Sequence, residues 1–165
     1  MPSDTWTAPA DWTTNEVVTA AKLNQQLRDN IYALWLAVTT GSAAITEMFS
    51  SGTYTPTLTN GANVAASTAY QCQWMRIGAV VNVSGKFDLN PTIANTSTIL
   101  GISLPIASNF GAEEQLGGVT GPSAGVTDSP GRVYANSTFD RAEVSVWPGS
   151  AANQGVSFIF QYQVI

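Results

Sequence analysis

The sequence predicts a mainly β protein, an antiparallel β-sandwich of jelly-roll type preceded by an extended N-terminal arm and one α-helix. Three observations support this prediction. Apolar residues recur every three or four positions between residues 19 and 40, which is helical spacing. Farther along the chain they alternate with polar residues, as in half-buried strands. Gly, Pro, Asn and Asp separate the alternating runs at short intervals, which is typical of sandwiches and small barrels.

The N-terminal residues 1–16 follow neither period and predict an extended arm. This arm contains Trp6, Pro9 and Trp12 among polar residues. A tryptophan side chain offers roughly 200 Å² of mostly apolar surface, which is unfavourable to leave in water. The two tryptophans are therefore expected either to fold back on the protein's own helix or to bind a partner.

The helix is predicted to begin after Thr19, whose hydroxyl can accept a hydrogen bond from the first turn. A capping box at Thr13–Glu16 offers an earlier start, but the β-branched pair Val17–Val18 favours the later one. Gly41 is a stop signal, so the helix should end near Thr40. Such a helix is about 30 Å long.

The apolar face of this helix is the predicted assembly element. A helix of this length is marginal in water unless its apolar face is covered, either by the protein's own β-domain or by other copies of the helix. A polar residue, Asn30, stands at a heptad-compatible position, where such residues set register and oligomeric state. We therefore predict a helical bundle, with a homotrimer as the preferred count. Its contacts would be made by Leu23, Leu27, Asn30, Ile31 and Leu34.

A small-residue linker follows the helix over residues 42–51. The predicted organisation is an attachment arm and trimerisation helix over residues 1–45 and a β-sandwich over residues 46–165. A chain of 165 residues has room for one core of ordinary size and an appendage.

Two predicted strands stand out in the β-domain. Residues 81–89 alternate strictly and carry Gly85 on the inner side, which indicates a bulge or a close packing contact. Residues 156–164 alternate aromatic and polar side chains, so this strand is placed centrally in the sheet. Pro56 demotes the first strand to an edge. The other predicted strands, for a total of roughly eight, are 52–58, 69–77, 98–104, 116–120, 132–135 and 141–147.

Composition and charge exclude several classes of partner. Charged residues make up 10% of the chain, against a usual share of about a quarter, so uncharged polar groups must cover the surface. Such a surface is typical of extracellular or virion β-proteins. The net charge is −5 and the six Lys and Arg are scattered, so we expect no binding to nucleic acid or to anionic membranes. Neither a signal peptide nor a membrane span is expected, and release by lysis would then be the route out of a cell.

The chain has no histidine, so Ser-His and Cys-His nucleophile systems are excluded. Cys72, its single cysteine, is expected to be a buried residue inside a strand. Neighbouring acids at Glu113 and Glu114 lack the spacing of a calcium loop, and the Gly-rich stretches lack the lysine of a phosphate loop. We expect no enzymatic activity, no cofactor and no metal. A carboxylate pair would have to come from Asp88, Glu113, Glu114, Asp128, Asp140 and Glu143, most of which fall in predicted turns or on solvent faces.

Four aromatic residues, Tyr70, Trp74, Tyr134 and Trp147, could either stack on sugars or serve packing. Core packing or a subunit interface is the preferred interpretation for each. A large interface would also hide the apolar part of so weakly charged a surface.

Several short motifs resemble proteins of tailed bacteriophages, namely their tail-fibre and minor structural proteins. The N-terminal segment runs from Trp12-Thr13 through Glu16-Val17-Val18-Thr19-Ala20-Ala21 and Leu23-Asn24 to Arg28-Asp29-Asn30 and Leu34. The C-terminal part contributes Gly52-Thr53-Tyr54-Thr55-Pro56-Thr57-Leu58, Trp74-Met75-Arg76-Ile77-Gly78, Val80-Val81-Asn82-Val83-Ser84-Gly85, Ser103-Leu104-Pro105 and Phe160-Gln161-Tyr162-Gln163-Val164-Ile165.

The resemblance implies a trimeric virion component, attached to another capsid or tail protein by its N-terminal arm and helix and displaying the β-domain outward. In that setting Trp6, Pro9 and Trp12 would anchor the arm. The chain lacks the repetitive shaft of a long tail fibre, so a head fibre or capsid decoration competes with a tail fibre.

Two alternatives from other classes stay open. A free carbohydrate-binding module would use its helix merely to cover its own sandwich, and a host-surface glycan is also a candidate partner of a virion protein. A polysaccharide hydrolase would depend on one acid among Asp88, Asp128, Asp140 and Glu143.

Overall fold

The computed structural model describes residues 17–40, 49–123 and 131–165. The chain divides into two compact units, Met1–Met48 and Phe49–Ile165. The predicted arm with Trp6, Pro9 and Trp12 lies outside the described residues, as do the capping box and Asp128.

In the first unit, the helix begins where the sequence predicted. The Thr19 side chain accepts a hydrogen bond from the Lys22 backbone amide at 3.2 Å, which confirms Thr19 as the N-cap. The last helical segment runs to Thr40, and Gly41, the predicted stop signal, lies outside the described residues. The segments are α1 (Ala20–Leu23), a π-helical stretch (Asn24–Asp29) and α2 (Asn30–Thr40).

The π-helical stretch was not predicted. The apolar residues flanking and inside it, Leu23, Leu27 and Ile31, are spaced by four positions. Spacing by four fits an α-helix and a slightly wider helix equally well, so the pattern could not distinguish them.

The second unit is antiparallel and sandwich-like, which confirms the predicted fold class. Its strands within the described residues form one curled 10-stranded sheet in the order β1-β4-β5-β10-β7-β8-β9-β6-β2, with β3 paired to β5. The strands are β1 (Phe49–Tyr54), β2 (Leu58–Asn60), β3 (Val64–Ala69), β4 (Cys72–Ile77), β5 (Val80–Pro91), β6 (Thr98–Ile102), β7 (Leu116–Pro122), β8 (Gly131–Asn136), β9 (Arg141–Val146) and β10 (Gln154–Gln163).

The described residues form ten strands where roughly eight were predicted, and the predicted first strand is divided in two. The predicted first strand is interrupted at Pro56, which lies between β1 and β2 because proline cannot donate to a ladder. Both of these strands are sheet edges, as predicted for that segment. Strand β3 was missed because its Ala and Ser residues show no apolar alternation.

The aromatic strand β10 is central, as predicted, and lies between β5 and β7. Its inner side chains Phe158, Phe160 and Tyr162 are buried and follow one another at centroid distances of 5.7 Å and 6.1 Å. Ring contacts of this kind add to the free energy gained from burial alone. The core is thus built outward from the C-terminal strand.

Gly85 makes the predicted close packing contact. A Cβ placed there would overlap the Cys72 side chain and stand 3.0 Å from Phe158 Cζ. Cys72 itself is buried, as predicted. The strand therefore needs glycine at this position so that β4 and β10 can fill the space.

Candidate functional site: assembly and binding surfaces

The predicted assembly residues of the helix are mostly exposed in the single chain. Leu23, Leu27, Ile31 and Leu34 have exposed fractions between 49% and 59%. Burying one such side chain fully stabilises a structure by about 1.5–3 kcal/mol. These residues form a row that we call the helix stripe, and the row can gain substantial stability by contacting another apolar surface.

Asn30 does not share the exposure of the helix stripe. It is 5% exposed, and its Nδ2 donates a hydrogen bond to the Gln26 carbonyl at 3.4 Å. The π-helical stretch ends immediately before Asn30. Its role in setting register and oligomeric state stays a prediction.

Trp35 was not among the predicted assembly residues, although it is as exposed as the helix stripe and stacks on Tyr32 with ring centroids 5.8 Å apart. It directly follows Leu34, and its large side chain could have indicated a wider apolar surface. Exposed tryptophans are enriched at the centres of protein interfaces.

A second surface lies on the outer side of the β-domain. The registers of β1, β4, β5, β10 and β7 place uncharged side chains in continuous rows across these strands. We call this surface the neutral face. Its members are Phe49, Ser51, Thr53, Gln73, Met75, Ile77, Val80, Asn82, Ser84, Gly117, Val119, Ile159, Gln161 and Gln163.

Large apolar side chains are part of the neutral face and stay exposed to water. They are Phe49, Met75, Ile77, Val119 and Ile159. A shallow cleft of about 520 Å³ opens among Met75, Asn82 and Ile159. The face thus combines an apolar floor with amide and hydroxyl groups, which is the composition of a protein interface more than of a solvated sheet.

A third surface is a cleft of about 400 Å³ beside the β8–β9 turn. Phe139 projects there with 64% of its surface exposed, and the Arg141 guanidinium lies 4.6 Å from its ring centroid. The hydroxyls of Thr57, Thr59 and Ser103 line the same cleft. An exposed ring next to hydroxyl and cationic groups is suited to a polar ligand with an apolar side.

Arg141 is held in place by a compact polar network. Its Nη2 donates to Glu143 Oε1 at 2.7 Å, and Asn136 Nδ2 donates to the same oxygen at 2.8 Å. The Tyr134 hydroxyl donates to Glu143 Oε2 at 3.2 Å. Burial acts to raise the pKa of Glu143, but the hydrogen bonds from Arg141 and Asn136 outweigh it and lower that pKa. Glu143 is therefore a structural anion.

Two further acids also serve structure. Asp140 accepts hydrogen bonds from the backbone amides of Ser108 at 3.1 Å and Phe110 at 3.0 Å. Asp88 accepts one from the Tyr70 hydroxyl at 2.7 Å, which holds the pKa of Asp88 below its usual value, and it pairs with Lys86 at 3.1 Å. These carboxylates are already engaged by protein groups.

The aromatic residues singled out in the sequence have different environments. Trp74 is half-buried and packs against Gly52, whose missing side chain makes room for the indole. Tyr70 and Tyr134 belong to the polar networks of Asp88 and Glu143. Trp147 is exposed. The structure does not bring these four residues together into one aromatic platform.

Within the described residues, no group of His, Cys, Asp and Glu side chains is arranged to hold a metal ion. The acidic pair Glu113 and Glu114 lies in a short 3₁₀ helix, Glu113–Gln115, and both are exposed. No described helix has the length and apolar character that crossing a bilayer requires.

Comparison with known proteins adds little to these observations. No family model and no curated protein matches the chain. Among solved structures, the chain is similar to the reovirus attachment protein sigma1, crystallised in complex with alpha-2,3-sialyllactose. The identity is 13%, the match covers 72% of this chain and 68% of that chain, and the TM-score is 0.45. At this level of similarity, nothing that sigma1 binds transfers to the present chain.

Proposed function

We propose that the chain is a non-enzymatic structural protein of a bacteriophage particle. It forms a homotrimer through its helix, attaches to another virion protein by its N-terminal arm, and displays the β-domain outward as a fibre, spike or capsid decoration. The observation that carries the proposal is the helix stripe, a row of apolar side chains left about half exposed on a single chain.

The marginal stability of the isolated helix favours assembly. A helix of about 20 residues gains too little from its own hydrogen bonds to be stable without tertiary contacts. Covering Leu27, Ile31 and Leu34 with equivalent residues of other copies would add roughly 1 kcal/mol or more for each residue. The stripe extends over too few turns for a long coiled coil, which favours a bundle that the β-domains assist.

The non-enzymatic part of the proposal rests on chemistry. The chain has no histidine, and the described acids Asp88, Asp140 and Glu143 are engaged in structural hydrogen bonds. The phage assignment rests on the N-terminal and C-terminal motifs quoted above. The anchoring role of Trp6, Pro9 and Trp12 rests on the attachment that this resemblance implies and on the apolar surface of the two tryptophans. The expected location is the virion, after assembly in the host cytoplasm.

Light scattering during size-exclusion chromatography tests the assembly. The full chain should have about three times the mass of one 17.4-kDa chain. The double variant Leu27→Asp/Ile31→Asp should have the mass of a single chain, because charges cannot be buried in the bundle. The matched control is Ile93→Asp, since Ile93 is equally exposed but belongs to a loop of the β-domain. A wild-type monomer at micromolar concentration would refute the trimer.

Incorporation into particles tests the anchoring. Removing residues 1–18 should abolish incorporation while leaving the β-domain folded. The double variant Trp6→Ala/Trp12→Ala should reduce incorporation in the same direction. Particles that contain either variant at wild-type amounts would remove the anchoring role from the arm.

A second candidate function, glycan binding, is favoured by the Phe139 cleft. A sugar ring could stack on Phe139 while Thr57, Thr59 and Arg141 offer hydrogen-bonding groups at its edge. This function is compatible with a virion protein and also with a free carbohydrate-binding module, which should be monomeric. Oligomeric state and glycan binding together distinguish the two.

A glycan array tests this candidate. Specific hits should be lost in Phe139→Ala and kept in the matched control Trp147→Ala, because Trp147 is also exposed but does not line the cleft. Unfolding midpoints of both variants should stay near that of the wild type. Hits that survive Phe139→Ala would assign glycan binding to another surface.

A further inference from the structure

We infer that the neutral face is the surface through which the β-domains contact one another, its occupant being a second copy of this chain. The inference rests on the trimer proposed above and deepens it. In a cyclic trimer each contact joins two different surfaces, so the neutral face of one copy would meet another part of its neighbour.

The absence of charge on the neutral face favours a second copy as its occupant. The whole chain carries a net charge of −5, so copies repel one another wherever acids face acids. The neutral face itself contains no Asp, Glu, Lys or Arg. Charged residues border it at Lys86 and Asp88 farther along β5, at Arg132 opposite Val119 on β8, and at Glu114 beside Gly117. A charged partner would gain nothing specific from such a surface, whereas a copy of the same acidic chain can approach it without repulsion.

The neutral face also gathers two groups of exposed apolar side chains. Phe49 is opposite Ile77, and Ile159 is opposite both Ser84 and Val119. Met75 lies beside the Ile77 group on β4, and the polar Asn82 and Ser84 of β5 separate it from Ile159. Soluble monomers rarely gather so many exposed large apolar side chains on one face unless that face has a partner.

The area of the neutral face limits how strongly it can bind by itself. Strands spaced about 4.8 Å apart, with about 3.3 Å per residue, give this face roughly 400 Å². A stable interface needs roughly 800 Å² from each partner. The neutral face is therefore too small to hold two domains together by itself, but it suffices if another element already holds the copies close.

The helix is such an element. Residues 41–48 separate Thr40 from Phe49, and eight residues span at most roughly 28 Å. Copies joined through the helix stripe would keep their β-domains within this reach and so raise the effective concentration of each domain near the next to the order of millimolar. At such a concentration, even a weak contact between the neutral face of one domain and the neighbouring domain is formed most of the time.

Thiol labelling of the full chain tests the inference. In a Cys72→Ala background, a cysteine replaces either Ile159, on the neutral face, or Ile93, in a loop away from it. The two isoleucines are matched in exposure at 54% and 59%. The measured quantity is the ratio of the labelling rates of I159C and I93C by a maleimide reagent.

The ratio should fall at least about tenfold in the trimer relative to the same proteins carrying Leu27→Asp/Ile31→Asp, because thiol reactivity depends on access and this double variant separates the copies while leaving the β-domain unchanged. An unchanged ratio in a proven trimer would overturn the inference and leave the proposed function standing. A monomeric wild type would overturn both. A ratio that falls only after incorporation into particles would assign the face to another virion protein, and would also overturn the inference.

Discussion

The helical unit and the core of the β-domain differ in how far their apolar side chains are buried. In the core of the β-domain large apolar side chains close on one another, with Phe87, Leu89, Leu100 and Phe160 almost completely buried, while the neutral face leaves others exposed. On the helix, the stripe residues remain about half exposed. A region that buries its own apolar residues needs no partner for stability, whereas a region that displays them does. The difference supports the proposal that the helix drives assembly while the β-domain folds around its own core.

The largest expected effect on stability comes from a substitution in the core of the β-domain. Phe160→Ala removes a ring packed between Phe158 and Tyr162 and should lower the free energy of unfolding by about 3–5 kcal/mol. Urea unfolding followed by tryptophan fluorescence measures this change. The control Ile93→Ala removes an exposed side chain and should change stability by less than about 0.5 kcal/mol. Equal losses in the two variants would contradict a core centred on β10.

Two glycine substitutions test how tightly the inner side of β5 is packed. Gly85→Ala forces a methyl group against Cys72 and Phe158 and should cost about 1–3 kcal/mol. Gly121→Ala adds the same methyl group where no atom lies within 4 Å, so its effect should be neutral or slightly stabilising. Unfolding midpoints in urea compare the two variants. If Gly85→Ala were as stable as Gly121→Ala, the inner side of β5 would not be tightly packed.

The Asp140 carboxylate adds a pH dependence to the β-domain. Burial acts to raise the pKa of Asp140, but backbone amides of Phe110, Asn109 and Ser108 outweigh it and lower this pKa below its ordinary value. A lowered pKa stabilises the fold above about pH 4, and the gain is lost as the pH falls through the folded-state pKa. Asp140→Asn keeps the positive φ of 45° accessible but loses one acceptor oxygen.

Asp140→Asn should therefore be less stable than the wild type by about 1–3 kcal/mol at pH 7, and the gap should shrink toward pH 3. Urea unfolding at both pH values measures the gap. The exposed acid Glu114 supplies the control, because Glu114→Gln should change stability by less than about 0.5 kcal/mol. A gap of the same size at both pH values would show that the charge of Asp140 is not what binds the amides.

The smallest expected effect concerns the helix. Thr19→Ala removes the N-cap hydrogen bond to Lys22 and should cost about 1 kcal/mol of helix stability, while Thr19→Ser should retain it. Circular dichroism at 222 nm during heating measures the helix, and amide exchange in β10 should stay unchanged. A loss of protection in β10 would mean that the two regions depend on each other more than their contrasting burial indicates.

Much of the local structure followed from short-range patterns. The N-cap at Thr19, the alternation of β5 and β10 and the burial of Cys72 all depend on a few neighbouring residues. Strand β3 escaped prediction because Ala and Ser carry little periodic signal. The π-helical stretch escaped prediction as well, because it leaves no mark in the spacing of apolar residues.

The sequence by itself determined the fold class, the helix with its row of leucines and the absence of histidine chemistry. The tertiary structure decided which surfaces these residues form. Ile159 and Val119 share the neutral face because β10 and β7 pair in that register, and Asp140 meets the amide of Ser108 across 32 positions of sequence. Caps and periodicities act within one or two turns, whereas strand order and register depend on many weak contacts between distant segments, which no local pattern records.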